Sequence, residues 1–317
     1  MCPFCPILPY IHFTRKVIVF TMNRDSLVEL HETLGKNFRN DLENQEYQTV
    51  LLSPIAEFDR PTLYLTLSTL GAVAMYNVNS IIAIIIQLSH GNEIIKHRTP
   101  FPSKYPFPES NGLYVTRYLI EVWASCAVIS ISSATDALFD FYIFQMASQL
   151  RVLSYRMSKL TAFDDHQRII KECVVRQQCL TRCHDKLQTI YGPIVLWILT
   201  TSAMTMCANI FQAFQISMDK VVLVFIYITM KLMQTLLYGW FGSFLTSESE
   251  QFRNSIYACG WPGSGDALFV FNIKTMLLCR PLVLKAWQFY AISVDMFMAI
   301  MNTTLSYFFL LRTLDEN

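Results

Sequence analysis

Apolar positions in this chain gather into long, nearly unbroken runs separated by polar segments. A helix needs about 20 mostly apolar residues to cross a bilayer. Five runs meet that length: Pro61–Leu88, Leu113–Ala147, Ile190–Ile216, Val221–Leu245 and Leu282–Leu311. They lack the roughly ten-residue alternation of a membrane β-strand, so the pattern predicts helices. The second and last runs exceed what a crossing needs, and the surplus turns tilt or continue into water. The fold class expected is therefore all-α, a polytopic transmembrane helical bundle with five spans.

The intervening segments have a character of their own. Gln149–Leu160 and His166–Leu187 carry apolar residues at three- and four-residue spacing among charges, which predicts that the second and third spans run on as amphipathic helices beyond the membrane. Between Thr99 and Ser110, four prolines (Pro100, Pro102, Pro106 and Pro108) predict a non-helical loop within 89–112. Residues 1–60 read as a polar N-terminal segment. Its first twenty residues are more apolar but carry Pro3, Pro6, Pro9, Arg15 and Lys16. The basic residues follow the apolar stretch there, which is the wrong order for a signal peptide.

Charge adds an orientation. The segments on one side of the predicted spans, 1–60, 148–189 and the stretch around 246–281, hold with their flanks eighteen of the 25 basic residues. By the positive-inside rule, the N-terminus is expected in the cytosol and the C-terminus outside. Composition agrees with a lipid environment: 53% hydrophobic and 15% charged, against roughly 45–50% and about 25% in soluble chains. A net charge of +1 gives no reason to expect nucleic acid.

Candidate chemistry is sparse. The nine cysteines are an odd number and imply no disulfide framework. Cys2–Cys5 and Cys179–Cys183–His184 have ligand-like spacing without a matching second pair, so neither a metal site nor a cofactor is expected. Without a Gly-rich phosphate loop, a nucleophile elbow or a paired-His helix, the chain does not read as an enzyme. Asn302-Thr-Thr matches a glycosylation triplet but falls inside the last apolar run, where no glycan fits. Charges well inside the runs, away from their ends, are Glu121, Asp136, Asp140, Lys231 and Asp295. Each costs about 2.5–3.5 kcal/mol at a helix centre, so each wants a partner or a watery cavity. Depth along the helices makes Glu121 and Lys231 a candidate pair, the alternative being that each meets water separately.

The last third of the chain carries a resemblance. WFGSFLTSESEQFRNSIYACGW at 240–261, the Arg280-Pro281 pair and Ser306-Tyr307-Phe308 are similar, in order and spacing, to the C-terminal signature of insect odorant receptors. Phe101-Pro-Ser-Lys-Tyr-Pro-Phe107 and Gln149-Leu-Arg-Val-Leu153 resemble the family upstream, so the likeness spans roughly 58–314. It implies a seven-helix subunit of a ligand-gated, non-selective cation channel in the plasma membrane of olfactory sensory neurons. Four subunits would surround one pore, a co-receptor completing the heterotetramer. The family's last helix is split, here into about Asp266–Arg280 and a pore-lining part at about Ala286–Leu311; segment 246–281 would belong to a cytosolic anchor and 282–317 to the pore helix and outer tail.

The ligand implied is a small volatile odorant, met by Met75, Tyr76, Asn79, Glu121, Trp123, Met204, Met206 and Tyr227. At the pore, Leu310 and Leu314 align with gating residues and Thr313 with the filter residue. With five spans, the chain is short of the family's first helix and most of the second, as a fragment or a decayed receptor would be, and Met1–Phe20 resembles a remnant of the second. A gustatory receptor shares this architecture but usually ends Thr-Tyr, five apolar residues, Gln-Phe. A G-protein-coupled receptor would want an outside N-terminus and an Asn-Pro-x-x-Tyr-like end.

Overall fold

The computed structural model describes residues 8–89, 111–160, 166–213, 218–259, 261 and 267–315. Within them the chain forms the helices α1 (Leu8–Met22), α2 (Arg24–Glu43), α3 (Gln45–Leu52), α4 (Ile55–Ser89), α5 (Asn111–Ser158), α6 (His166–Ala213), α7 (Met218–Ala258), α8 (Ala267–Leu278) and α9 (Val294–Asp315). A two-stranded antiparallel hairpin, β1 (Lys285–Ala286) with β2 (Tyr290–Ala291), stands between α8 and α9. The Pro-rich segment within 89–112 and the Cys2–Cys5 pair fall outside the described residues.

Each of the three middle apolar runs extends into a helix longer than the run itself. α5 and α6 continue through the amphipathic stretches around Arg151 and Arg176, and each contains a stretch long and apolar enough to cross a membrane. α7 continues through Thr246-Ser-Glu-Ser-Glu250 to Ala258 rather than stopping at Leu245. The reason is that this polar block still buries one face: Leu245, Phe252 and Ile256 are core residues.

The final apolar run departs from expectation. Leu282–Leu311 is not one helix, and the helical part expected from about Ala286 starts only at Val294, because Leu282–Ser293 includes a hairpin. The hairpin turns at Trp287 and Gln288, with φ of 45° and 66°, and Phe289 N donates to the Ala286 carbonyl at 3.1 Å. Two consecutive non-glycine residues in the left-handed region cannot continue a right-handed helix. Hydrophobicity alone cannot separate a hairpin from a helix in so short a stretch.

The bundle has two regions. In the polar one, α2 and α3 strap the charged halves of α5 and α6. Arg176 pairs with Asp41, Lys186 with Glu29, and Lys159 with Glu46 at 3.0 Å; Arg151 joins Glu248 of α7 at 2.7 Å while donating to Ser53 Oγ at 2.9 Å. Beneath these ions lies a continuous apolar core in which Phe58 stacks on Phe241 at 4.5 Å and meets Phe144 and Phe244 edge-on. In the other region the apolar side chains turn outward. Leu63, Leu67, Leu70, Val78, Ile82 and Ile85 of α4, with Val115, Leu119 and Ile120 of α5, are exposed along the helices. Apolar surface this continuous is unsuited to water and matches lipid.

Candidate functional site

Sequence reasoning placed the ligand among α4, α5, α6 and α7. Polar contacts do tie α4 to α5 here: Tyr118 donates to the Asn77 carbonyl at 2.9 Å, and the Asn77 amide reaches Ser125 Oγ at 3.3 Å. The predicted lining residues do not all converge on this seam. Residues two apart on a helix point about 200° apart, so Glu121 is buried while Trp123 is 75% exposed, and Met206 is buried while Met204 is 65% exposed. Met75 also faces outward and Tyr227 is half-buried. The side chains of Tyr76 and Asn79 lie outside the described residues.

The proposed Glu121–Lys231 pair does not form. Glu121 takes the guanidinium of Arg117, one turn earlier on its own helix, at 2.9 Å, while Lys231 donates to Gln234 Oε1 at 3.0 Å. Equal depth is not enough, since a pair also needs facing sides, and each residue here turns to a partner on its own helix.

The buried ionic centre is instead built on Asp136. Lys16 of α1 reaches Asp136 Oδ1 at 2.6 Å and Ser132 Oγ at 3.0 Å; the Gln234 amide donates to Asp136 Oδ2 and the Tyr238 hydroxyl to Oδ1, both at 2.7 Å. Lys16 is 1% exposed and Asp136 7%. A charge pair so enclosed persists only when its remaining hydrogen-bonding capacity is filled, and here three helices fill it. Lys231 joins through Gln234, so α1, α5 and α7 share one network. One turn along α5, Asp140 accepts from Thr62 of α4 at 2.8 Å. Asp136 was legible in sequence as an intramembrane charge. Its partner was not, because Lys16 lies 120 residues away, outside the five apolar runs.

The candidate pore residues sit on α9, which packs against α6 and α7. Met296, Thr304 and Phe308 recur every four residues or multiples of four and are buried. Away from that stripe Met298, Leu305, Phe309 and Leu310 are exposed, with Thr313 exposed one turn beyond Leu310; Tyr307 is exposed as well. The side chain of Leu314 lies outside the described residues. Thus the single chain packs one stripe of α9 and leaves the face bearing Leu310 and Thr313 open.

Cys173, Cys183 and Cys259 are buried and behave as packing residues. Cys179 and Cys183 neighbour each other on α6, and no cluster of three or more His, Cys, Asp or Glu among the described residues has metal-holding geometry. Burial pushes the Cys183 thiol up to about 12 and Cys173 up to about 11. Because the thiolate is the nucleophile, both should resist a neutral-pH alkylating reagent that modifies the exposed Cys279. Mass mapping after timed iodoacetamide treatment of the folded protein checks this; modification of Cys183 as fast as Cys279 would contradict it.

These features define an all-helical membrane bundle with a buried ionic centre and a terminal helix packed on one side only. Its fold matches that of the insect olfactory receptor OR5 from Machilis hrabei, with a TM-score of 0.81 at 15% identity over 96% of this chain and 78% of the other. The same receptor in complex with eugenol matches with a TM-score of 0.76 at 14% identity, covering 97% and 79%. The family model described as 7tm Odorant receptor matches residues 3–305, and the chain belongs to that family of membrane proteins.

Among curated relatives, Odorant receptor 13a of Drosophila melanogaster is 26% identical over 256 residues, 72% of this chain and 61% of its own length. The chain thus spans about three fifths of that relative. Putative odorant receptor 92a of the same fly is 22% identical over 92% of this chain and 74% of its own length. The Odorant receptor coreceptor of Anopheles gambiae is 27% identical over 145 residues, 45% of this chain and 30% of its own length.

Proposed function

We propose that this chain is a subunit of an odorant-gated cation channel in the plasma membrane of olfactory sensory neurons, working with a co-receptor in a heterotetramer. One observation carries the channel reading: α9 is packed along the stripe of Met296, Thr304 and Phe308 and exposed along the row leading to Leu310. Four subunits around an axis, the co-receptor among them, would turn this face onto a shared pore, with leucines at 310 and 314 as a dewetting constriction and Thr313 as the polar ring beside it. Membrane lipid would cover the exposed faces of α4 and α5. No nucleic-acid role is implied.

The ligand in this reading is a small, mostly apolar volatile held at the α4–α5 seam and against α6 and α7. Glu121 and Met206 are its inward-facing candidates, joined by half-buried Tyr227, with Tyr76 and Asn79 kept in the proposed set; Met75, Trp123 and Met204 face outward in this chain. The solved relative's complex with eugenol, a small aromatic volatile, supports this ligand class. An N-terminus in the cytosol, a C-terminus outside and five spans complete the proposed topology.

Replacing Leu310 with serine tests the gate directly. In cells co-expressing an odorant receptor co-receptor, Leu310→Ser is expected to raise the resting cation current about tenfold, because a hydroxyl lets water persist in the constriction. If resting and odour-evoked currents both match wild type, Leu310 does not gate.

A further inference from the structure

The base of α9 rests on α7 through positions that tolerate no side chain. A Cβ added to Gly239 would lie 2.7 Å from the Ser293 carbonyl oxygen, and one added to Gly242 would overlap the Ile292 carbonyl oxygen and come within 2.9 Å of the Ile292 carbonyl carbon. These neighbours are backbone and cannot rotate away. Next to Gly242, Ser243 Oγ accepts from Val294 N at 3.0 Å, satisfying one of the open amides at the α9 N-terminus. One turn further, Thr246 Oγ1 donates to the Leu282 carbonyl at 3.3 Å, and Ser249 Oγ accepts from Leu282 N at 2.9 Å.

Small residues at three- and four-residue spacing therefore form a track along one side of α7. Segment 282–294 lies in it, closed on itself by the Ile292 N to Leu284 carbonyl bond at 2.8 Å. On its other side, a Cβ at Gly192 of α6 would stand 3.2 Å from the Lys285 carbonyl oxygen and 3.3 Å from Trp287 N. The contrast within the chain is sharp, since a Cβ at Gly35 or Gly71 would meet nothing within 4 Å. Just above the track, Gln234 and Tyr238 fasten α7 to Asp136.

We propose that segment 282–294 and α7 move as one body during gating, with Gly239 and Gly242 as the positioning residues through which α7 carries the base of α9. Displacement of α7 by ligand then reaches the gate through this seat, and α9 changes its position above a base that never parts from α7. The proposal rests on the channel reading and makes a separate demand on it.

The test locks the seat. Ser243→Cys with Val294→Cys, in the receptor co-expressed with a co-receptor, is expected to form a disulfide detectable by peptide mapping and to retain an odour-evoked current within about twofold of wild type, unchanged by dithiothreitol. A disulfide that abolishes the current until it is reduced would show that the base leaves α7, overturning the proposal; failure of the pair to form a disulfide would overturn it too. Gly242→Ala is expected to shift the ratio of resting to odour-evoked current at least fivefold, read per receptor at the surface by biotinylation, while Gly71→Ala leaves it unchanged. An unaltered ratio in surface-expressed Gly242→Ala contradicts the positioning role. If wild type itself passes no odour-evoked current, the channel reading fails instead.

Discussion

Replacing Asp136 with alanine is expected to destabilise the bundle by about 3–5 kcal/mol, the range for breaking a buried pair by removing one partner. Lys16 would keep its charge where it is 1% exposed, with Ser132 left as its hydrogen-bonding partner, and the Gln234 amide and Tyr238 hydroxyl would lose their acceptor. Asp136→Asn retains an acceptor oxygen and should cost less. Combining Asp136→Ala with Lys16→Met should recover part of the loss, because it removes the stranded charge along with its partner. Thermal midpoints of the detergent-purified protein, followed by size-exclusion chromatography, read the order. Equal midpoints for wild type and Asp136→Ala would mean that the centre contributes nothing to cohesion.

A comparable loss is expected one turn further along α7, at Phe241. Phe241 is fully buried and stacks on Phe58 with an interplanar angle of 11°. Truncating a large aromatic in a packed core costs about 3–5 kcal/mol, part transfer and part residual cavity. Phe241→Ala should therefore lower the thermal midpoint strongly, and Phe241→Leu distinctly less, since a leucine fills more of the space. A double-mutant cycle with Phe58→Ala isolates the ring–ring contact, expected at about 0.5–1.5 kcal/mol beyond burial. Coupling indistinguishable from zero would mean the stack adds nothing beyond apolar area.

Together these residues place α7 at the mechanical centre of the molecule. It holds the ionic centre through Gln234 and Tyr238, the base of α9 through Gly239 and Gly242, and the polar region through Phe241 and Glu248. The spacing follows from the helix repeat: positions 234, 238, 241, 245 and 248 share one side, and 239, 242, 246 and 249 the adjacent one. A helix packed on both sides transmits displacement along its length, since close-packed interiors have little compliance.

The sequence by itself determined that the chain is helical, where most helices lie, and that α5 and α6 project beyond their apolar runs, because periodicity and run length are local properties that backbone geometry reads directly. It also marked Asp136 and Lys231 as charges needing explanation, and the residues around Trp240, Arg280 and Tyr307 carried the family. What only the tertiary structure decided was pairing and facing. Lys16 meets Asp136 across 120 residues, Glu121 turns to Arg117 rather than Lys231, and the last apolar run breaks at a hairpin because Gly192, Gly239 and Gly242 leave room for one. These outcomes depend on the azimuth of one helix against another, and azimuth is fixed only when all the helices pack at once.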